Sequence, residues 1–374
     1  MTQKLRNVAI VGFAQMPTVA RDEHRMSTEM LYPVVREALA QVGVERDAIE
    51  YQVSASTDYA DGRPFGFVAA LDVMGSWPPR QDLHLEMDGS FATYYAWVKL
   101  QTGEVDTAIV CGHGKTSEGE PDRVYNLQLE PYYHAAIGLD PTSTSALQAS
   151  AYMARTGVSD AELAAVAARN RAAGARNPDA QLRDAASAAD LRKTPFKVSP
   201  LREGYLPRIG ESATCLVLAA EGKAEKLCKK PAWIQGAHHI AELQTIGARD
   251  LTRSASTELA AKKALSMASL TSPHDVDVVE LLAQNPVQEM IVLEALGLDP
   301  MTPKPVVNPS GGALCADPIM STGLIRLGEA FRQISGTAGA RQVAGAKRAI
   351  AHAAQGHCLQ QNVVWVLGSE RRWS

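Results

Sequence analysis

Residues 81–112 read QDLHLEMDGSFATYYAWVKLQTGEVDTAIVCG, and this run sets the expectation for the whole chain. Residues 83–87 predict a short apolar strand, Asp88, Gly89 and Ser90 a sharp turn, and residues 92–102 a buried helix. Gly103 to Asp106 break that helix, and residues 107–111 form an apolar run suited to a strand covered on both faces. Strand, elbow, helix and strand in this order predict an α/β unit. An elbow presents one side chain and a helix N-terminus to whatever binds above it, so Asp88, Gly89 and Ser90 are the first candidates for chemistry.

Upstream, residues 7–12 (NVAIVG) predict a buried strand and residues 13–26 a polar loop. The chain has no G-x-G-x-x-G run and no Walker glycine–lysine pair here, which argues against the common nucleotide folds. Ser27 is the expected N-cap of a helix running to Gly43, with Met30, Leu31, Val34, Val35, Ala38, Leu39 and Val42 at helical spacing. Residues 47–54 then lead into a strand. The segment REALAQVGVERDAIEYQVSA from Arg36 shares a plan with KKALSMASLTSPHDVDVVELLA from Lys262. Each is a helix ending in Ala-Leu, a turn, an Asp-containing step and a strand, which predicts two similar α/β halves. The second half is expected to start near Ala232, with Trp233 to Gly236 as the counterpart of the first strand.

Residues 116–145 are rich in Pro, Tyr and polar residues and read as loop. Helical patterning returns over 146–173, where Ser159 and Glu162 have capping-box spacing. Residues 177–193, rich in alanine and charge, predict an exposed helix or linker, and residues 212–219 return to the sheet. Long insertions in α/β proteins cover a binding site or carry a partner contact. The expected division is an N-terminal half over 1–115 and 205–230, an inserted lid over 116–204, and a C-terminal half over 231–374.

Composition narrows the function classes. A net charge of -4 with 21% charged residues gives no basic footprint for nucleic acid. No apolar run reaches the length of a membrane span, and the N-terminus lacks the layout of a signal peptide. The five cysteines form no CxxC pair and no metal spacing, so reduced thiols in a cytoplasmic protein, with no metal site, are expected.

The elbow and the run TGEVDTAIVCG resemble the nucleophile elbow of the thiolase superfamily, most closely its sterol carrier protein thiolase branch and the lipid-transfer-type relatives that lack the catalytic cysteine. Two further stretches carry the resemblance. VVNPSGGALCADPIMSTG at 306–323 is similar to the family's Asn-Pro-Ser-Gly-Gly and Gly-His-Pro run, and AIAHAAQGHCLQQNVVWVL at 349–367 to its last catalytic turn. The resemblance implies a duplicated five-layered α-β-α-β-α sandwich with an inserted loop domain. It also implies an acyl-CoA substrate, with CoA entering as part of the substrate and no permanently bound cofactor. The implied partners are a second copy, with residues 107–111 near the twofold seam, and a small OB-fold protein carrying a zinc ribbon.

The same resemblance puts Asp88 at the cysteine's place and Asp317 at the histidine's place in Gly-His-Pro. The segment from Leu282 to Asn285 stands for the family's Asn-Glu-Ala-Phe. His352 matches the histidine of the sterol carrier branch, while Cys358 is shifted along the turn. Exchange of acyl groups with CoA needs a thiolate, so ordinary thiolase chemistry is not expected. Retro-aldol cleavage of a β-hydroxyacyl-CoA needs only a base, an enolate-binding site and an acid. The expected roles are His352 or Asp88 as base, the Gly89 and Ser90 N–H groups on the enolate oxygen, Tyr94 facing the same space, and Asn308, His357, Cys358 and Asp317 lining the pocket. Two alternatives stand beside this reading: an acyltransferase with Cys358 or Cys315 as a relocated nucleophile, and a non-catalytic acyl-CoA-binding subunit with a filled pocket at Asp88.

Overall fold

The computed structural model describes residues 5–373. Its frame is a ten-stranded mixed sheet built from β1 (Val8–Gln15), β2 (Tyr51–Ala55), β3 (Gln81–Leu85), β4 (Thr107–Gly114), β5 (Ser212–Ala220), β6 (Ala232–Ala241), β7 (Val278–Leu281), β8 (Val306–Val307), β9 (Arg348–Gln355) and β10 (Gln361–Gly368). Their order is β8-β7-β9-β10-β6-β1-β5-β4-β2-β3. The first five strands and the last five trace the same path in mirror order along the sheet, and the halves join where Ala9 pairs with Trp233 and Ile10 with Ala232. The repeated segments found in the sequence occupy equivalent places. Helix α1 (Ser27–Val42) leads through a short turn into β2, and helix α7 (Ala255–Met267) leads likewise into β7.

Alternation along buried strands separates the layers. Val8 and Ile10 join Phe91, Ala96 and Leu327 in the central core, whereas Ala9 and Val11 pack with Met30, Leu31 and Val35 under α1. Helices α3 (Gly89–Gln101) and α9 (Thr322–Ser335), one from each half, touch each other and form the middle layer. Helix α1 with α2 (Gly66–Met74) covers one outer face, and α7 with α8 (Pro286–Leu296) the other. This is the thiolase-like α/β sandwich that the sequence reading expected.

Between β4 and β5 the chain leaves the sheet and forms α4 (Pro121–Leu127), α5 (Pro141–Thr156) and α6 (Asp160–Gly174). The capping box is present, with the Ser159 side chain accepting from Glu162 N–H and Glu162 returning the contact to Ser159 N–H. Other local expectations are corrected. The stretch 116–145 is partly helical: Pro121 and Pro141 start helices where a missing N–H costs nothing, and Asp140 caps the second through Ser143 N–H at 2.6 Å. Residues 177–193 hold only the short helix Ala188–Leu191, and α1 is capped from Met26, one residue before Ser27.

The seam expected at residues 107–111 is also corrected. β4 is paired on both sides, parallel to β2 and antiparallel to β5, so its backbone groups are already used. The open edge of this half is β3. Among the described residues no helix is long and apolar enough to cross a membrane.

Candidate active site

Asp88 is 3% exposed and stands at the junction of the two middle helices. It is the N-cap of α3, its Oδ1 accepting from Ser90 N–H at 2.8 Å. Its Oδ2 accepts from Gly323 N–H, in the first turn of α9, also at 2.8 Å. One carboxyl therefore satisfies donors at the N-termini of helices from both halves, where the helix dipoles favour negative charge. A side chain at Gly323 would overlap Asp88 Oδ1 and Ala353 Cβ, so glycine is required for this approach. Burial opposes the dipoles and, with a smaller contribution from the Asp317 charge, pushes the Asp88 carboxyl up to about 7.

A cavity of about 90 Å³ opens over Asp88, lined also by Tyr125, Gln284, Asp317, Thr322, Gln355, His357 and Cys358. Asp317 Oδ2 accepts from Gln284 Nε2 at 2.8 Å, and its Oδ1 lies 2.8 Å from Thr322 Oγ1. That hydroxyl also reaches the Pro318 carbonyl at 2.9 Å. It has one proton, so a protonated Asp317 donating to Thr322 satisfies the whole set. Burial raises the Asp317 carboxyl above its ordinary range, in the same sense.

The Asp88 N–H donates to Gln355 Oε1 at 2.8 Å, which turns the Gln355 amide nitrogen away from Asp88 as a spare donor. Burial raises the Tyr125 phenol far above its ordinary value, so it remains a neutral donor. His357 Nε2 lies 2.9 Å from the Tyr125 carbonyl, which requires the proton on Nε2 and leaves Nδ1 to accept from Thr144 Oγ1 at 3.0 Å. Both ring nitrogens are thereby committed. Arg249 holds the turn above by donating to the carbonyls of His357 at 2.7 Å and Cys358 at 3.1 Å. Met320, Cys358 and Leu359 all have positive φ and all line this cavity. Such strain in non-glycine residues concentrates at functional sites.

The structure thus brings together Asp88, Asp317, His357 and Cys358. It separates the others. His352 is fully buried on β9, donating from Nε2 to Asn362 Oδ1 at 2.9 Å. Asn362 in turn reaches Ser256 on α7 at 2.7 Å, so His352 faces the outer helix layer while Gln355 and Ala353 face Asp88. It cannot serve as base there. Asn308 is buried and does not line the cavity, accepting from Leu281 N–H at 2.8 Å and donating to Glu289 at 3.0 Å. Tyr94 packs against Trp97, His239 and Trp365.

The Gly89 and Ser90 N–H groups are not free for an enolate. Gly89 donates to the Met320 carbonyl at 2.8 Å and Ser90 to Asp88 itself. Sequence reasoning missed Tyr125, Gln284, Thr322 and Gln355. Tyr125 sits in the stretch read as loop, and only the tertiary fold turns it inward.

The relocated nucleophile is also disfavoured by its surroundings. Burial pushes the Cys358 thiol up to about 11, and it donates to the Thr144 carbonyl at 3.3 Å. Cys315 is likewise pushed up to about 11 and is packed beside Gly174. Among the described residues no cluster of three or more metal-ligating side chains occurs.

Two larger cavities share walls with the central one. A cavity of about 570 Å³ on the side of the insertion shares Pro141, Ser145, Ile209, Gln284 and Asp317 with it, and carries Lys197 and Arg208, neither of which has a carboxylate within 4.0 Å among the described residues. Asp122 and Glu203 face the same space, while Arg171 and Asp184 in its wall pair with each other. Elsewhere on the insertion, Arg123 pairs with Glu120 and Arg169 with Glu289. On the opposite side, a cavity of about 790 Å³ shares Tyr125, Met320 and Gln355 with the central one.

Duplicated halves with two helix N-termini meeting at one buried cavity define a thiolase-type α/β protein. The Thiolase C-terminal domain-like family matches residues 303–369. An acetyl-CoA acetyltransferase of Methanothermobacter thermautotrophicus is 27% identical over 281 residues, 71% of this chain and 73% of that protein. Human sterol carrier protein 2 is 26% identical over 296 residues, 71% of this chain but only 54% of the relative. The Ltp2–ChsH2(DUF35) aldolase superposes with a TM-score of 0.84 at 19% identity, covering 97% of this chain and 98% of that one. The chain is similar to sterol carrier protein 2 thiolase-like members of the thiolase superfamily and shares their fold.

Proposed function

We propose that the protein cleaves the carbon–carbon bond of a β-hydroxyacyl-CoA by a retro-aldol reaction, in lipid or steroid side-chain breakdown. The carrying observation is the pair of carboxyls in one cavity, Asp88 on two backbone N–H groups and Asp317 on an amide and a hydroxyl. Two carboxyls whose surroundings favour opposite protonation states divide into base and acid. The helix N-termini favour the charge on Asp88, so Asp88 is the base and Asp317 the acid.

In this reaction Asp88 takes the proton of the substrate's β-hydroxyl. The oxygen's electron pair forms the carbonyl as the Cα–Cβ bond breaks, and that bond's electrons pass into the thioester enolate. Asp317 then supplies a proton to Cα, releasing a shortened acyl-CoA and a ketone or aldehyde. Gln355 Nε2 and the Tyr125 hydroxyl are the donors for the enolate oxygen, in place of Gly89 and Ser90. CoA enters as part of the substrate through the cavity that carries Lys197 and Arg208, and is not a resident cofactor. The open cavity at Asp88 speaks against a filled, non-catalytic pocket, and the raised thiols speak against an acyltransferase on Cys358 or Cys315.

The superposed aldolase is a two-component assembly by its name, which supports a requirement for a small OB-fold zinc-ribbon partner here; a homodimer is proposed on the family likeness alone. The test is mass-spectrometric product analysis with β-hydroxyacyl-CoA substrates, with and without a co-expressed zinc-ribbon protein. A shortened acyl-CoA plus a ketone or aldehyde is expected, with turnover lowered at least about a hundredfold in Asp88→Asn. Products that instead contain a new acyl–CoA thioester from a second substrate would replace this reading with acyl transfer.

A further inference from the structure

Helix α4 carries Tyr125 to the cavity over Asp88, yet none of its seven residues is fully buried. A helix with so little buried surface is held weakly by packing. Within the insertion, Asn126 Nδ2 donates to the carbonyls of Leu139 at 2.7 Å and Ala135 at 3.3 Å, which ties the end of α4 to its own loop. Two side chains of the C-terminal half reach the same end. Gln244 donates to the Gln128 carbonyl, one residue past the helix, and His357 Nε2 donates to the carbonyl of Tyr125 itself at 2.9 Å. The last carbonyls of a helix lack full intrahelical partners, and Gln128 N–H meets that of Tyr125 only at 3.3 Å. A histidine N–H supplies the missing bond at the helix end that favours a donor.

The two ends of this bond are unequally fixed. His357, Cys358 and Leu359 are buried, and Arg249 clamps their turn from the far side through the carbonyls of His357 and Cys358. Thr144 Oγ1, in the first turn of α5, lies 3.0 Å from His357 Nδ1, so the ring is held at both nitrogens. The Tyr125 ring meets the imidazole edge-on, with centroids 6.0 Å apart and planes at 87°. The imidazole is therefore the fixed post, and α4 is the element that leans on it.

We propose that His357 is a positioning residue, which sets the place of the Tyr125 hydroxyl over Asp88 by holding the Tyr125 main-chain carbonyl. The inference rests on the retro-aldol reading above, in which Tyr125 donates to the enolate oxygen. It adds that this donor, carried by the insertion, is aligned from the C-terminal half. His357 exchanges no proton with the substrate, because both of its nitrogens are committed. Displacement of an aligned group by about 1 Å lowers a rate by about a hundredfold.

The test compares His357→Phe, His357→Gln, Tyr125→Phe and the double variant His357→Phe/Tyr125→Phe in the full chain. Phenylalanine removes both polar contacts and keeps an aromatic ring, whereas glutamine retains a donor and an acceptor. The measurements are turnover of a β-hydroxyacyl-CoA and hydrogen–deuterium exchange of peptides covering residues 121–128. In His357→Phe, kcat is expected to fall at least about tenfold with KM changed less than about threefold. His357→Gln recovers most of that loss, and the double variant is slower than Tyr125→Phe by less than about twofold. The amides of α4 exchange faster in His357→Phe and not in His357→Gln. Losses that multiply in the double variant overturn the proposal, since His357 then acts independently of Tyr125. Unchanged α4 exchange in His357→Phe overturns it too, whatever the turnover, and leaves the retro-aldol reading standing. Absence of turnover in the unmodified protein, with faster α4 exchange in His357→Phe, overturns the retro-aldol reading and the role of His357 in it.

Discussion

Replacing Asp88 by asparagine separates the electrostatics of the junction from its shape. The Asp88 carboxyl moves from an ordinary value of 3.8 to about 7 on folding. A carboxyl raised in this way contributes stability that is fully present below pH 3.8 and is lost as pH rises through about 7, because the unfolded chain releases its proton first. The size of that linkage is about 4 kcal/mol. Below pH 4 the protonated acid and the amide resemble each other, each offering one acceptor to the two N–H groups and leaving one poorly matched at about 1–3 kcal/mol.

The stability of Asp88→Asn relative to the unmodified protein is therefore expected to rise with pH, by up to about 4 kcal/mol between pH 4 and pH 8. Urea denaturation of both proteins at a series of pH values measures it. Asp61, Asp122, Glu280 and Asp317, the other carboxyls raised by burial, are present in both proteins, so their linkage largely cancels in the difference. A difference that stays flat across this range would mean that Asp88 ionises as it does in water. The assignment of Asp88 as a base poised near neutrality would then fail together with the account of its burial.

Gly323→Ala would put a methyl group against the Asp88 carboxyl and Ala353. The expected loss is about 1–3 kcal/mol or more of stability from overpacking, read by denaturation, with a matching loss of turnover because the Asp88 contact at the head of α9 is displaced. Cys358 is expected to resist iodoacetamide at pH 7 in the folded protein, since its thiol lies up at about 11 and is buried. Cys358→Ser should keep most of the turnover, and rapid alkylation with loss of activity would restore the case for a thiol nucleophile.

The parts of the fold legible in the sequence are those decided within a few residues. The Ser159–Glu162 box, the helix-turn-strand repeat and the strands buried on both faces depend on spacing alone, and the structure contains each. His352 shows where spacing was not followed far enough. The resemblance put it in the last catalytic turn, but it lies inside β9, three places from Gln355, an odd number, and residues an odd number apart on a strand face opposite sides. Gln355 bonds Asp88, so His352 had to face away. Tyr125 had no local signal, because what gives it a role is contact with segments far away in the chain, and Gln284 lay inside the segment 282–285 flagged by the resemblance without being singled out.

The elbow itself was legible as a place and not as a chemistry. Its N–H groups look available when only residues 81–112 are considered, since a helix N-terminus leaves several donors unsatisfied. The duplicated second half changes this by bringing a second helix N-terminus to the same point. A carboxyl can accept from both helices at once through its two oxygens, and Asp88 does so. A thiol in its place would have a single weak acceptor for the two. The donors that a bare elbow would turn toward a substrate are thus consumed, Ser90 N–H by the elbow's own side chain and Gly89 N–H by the Met320 carbonyl. Under the proposed retro-aldol reading, the enolate oxygen would therefore be held by Gln355 and Tyr125 rather than by the first N–H groups of α3.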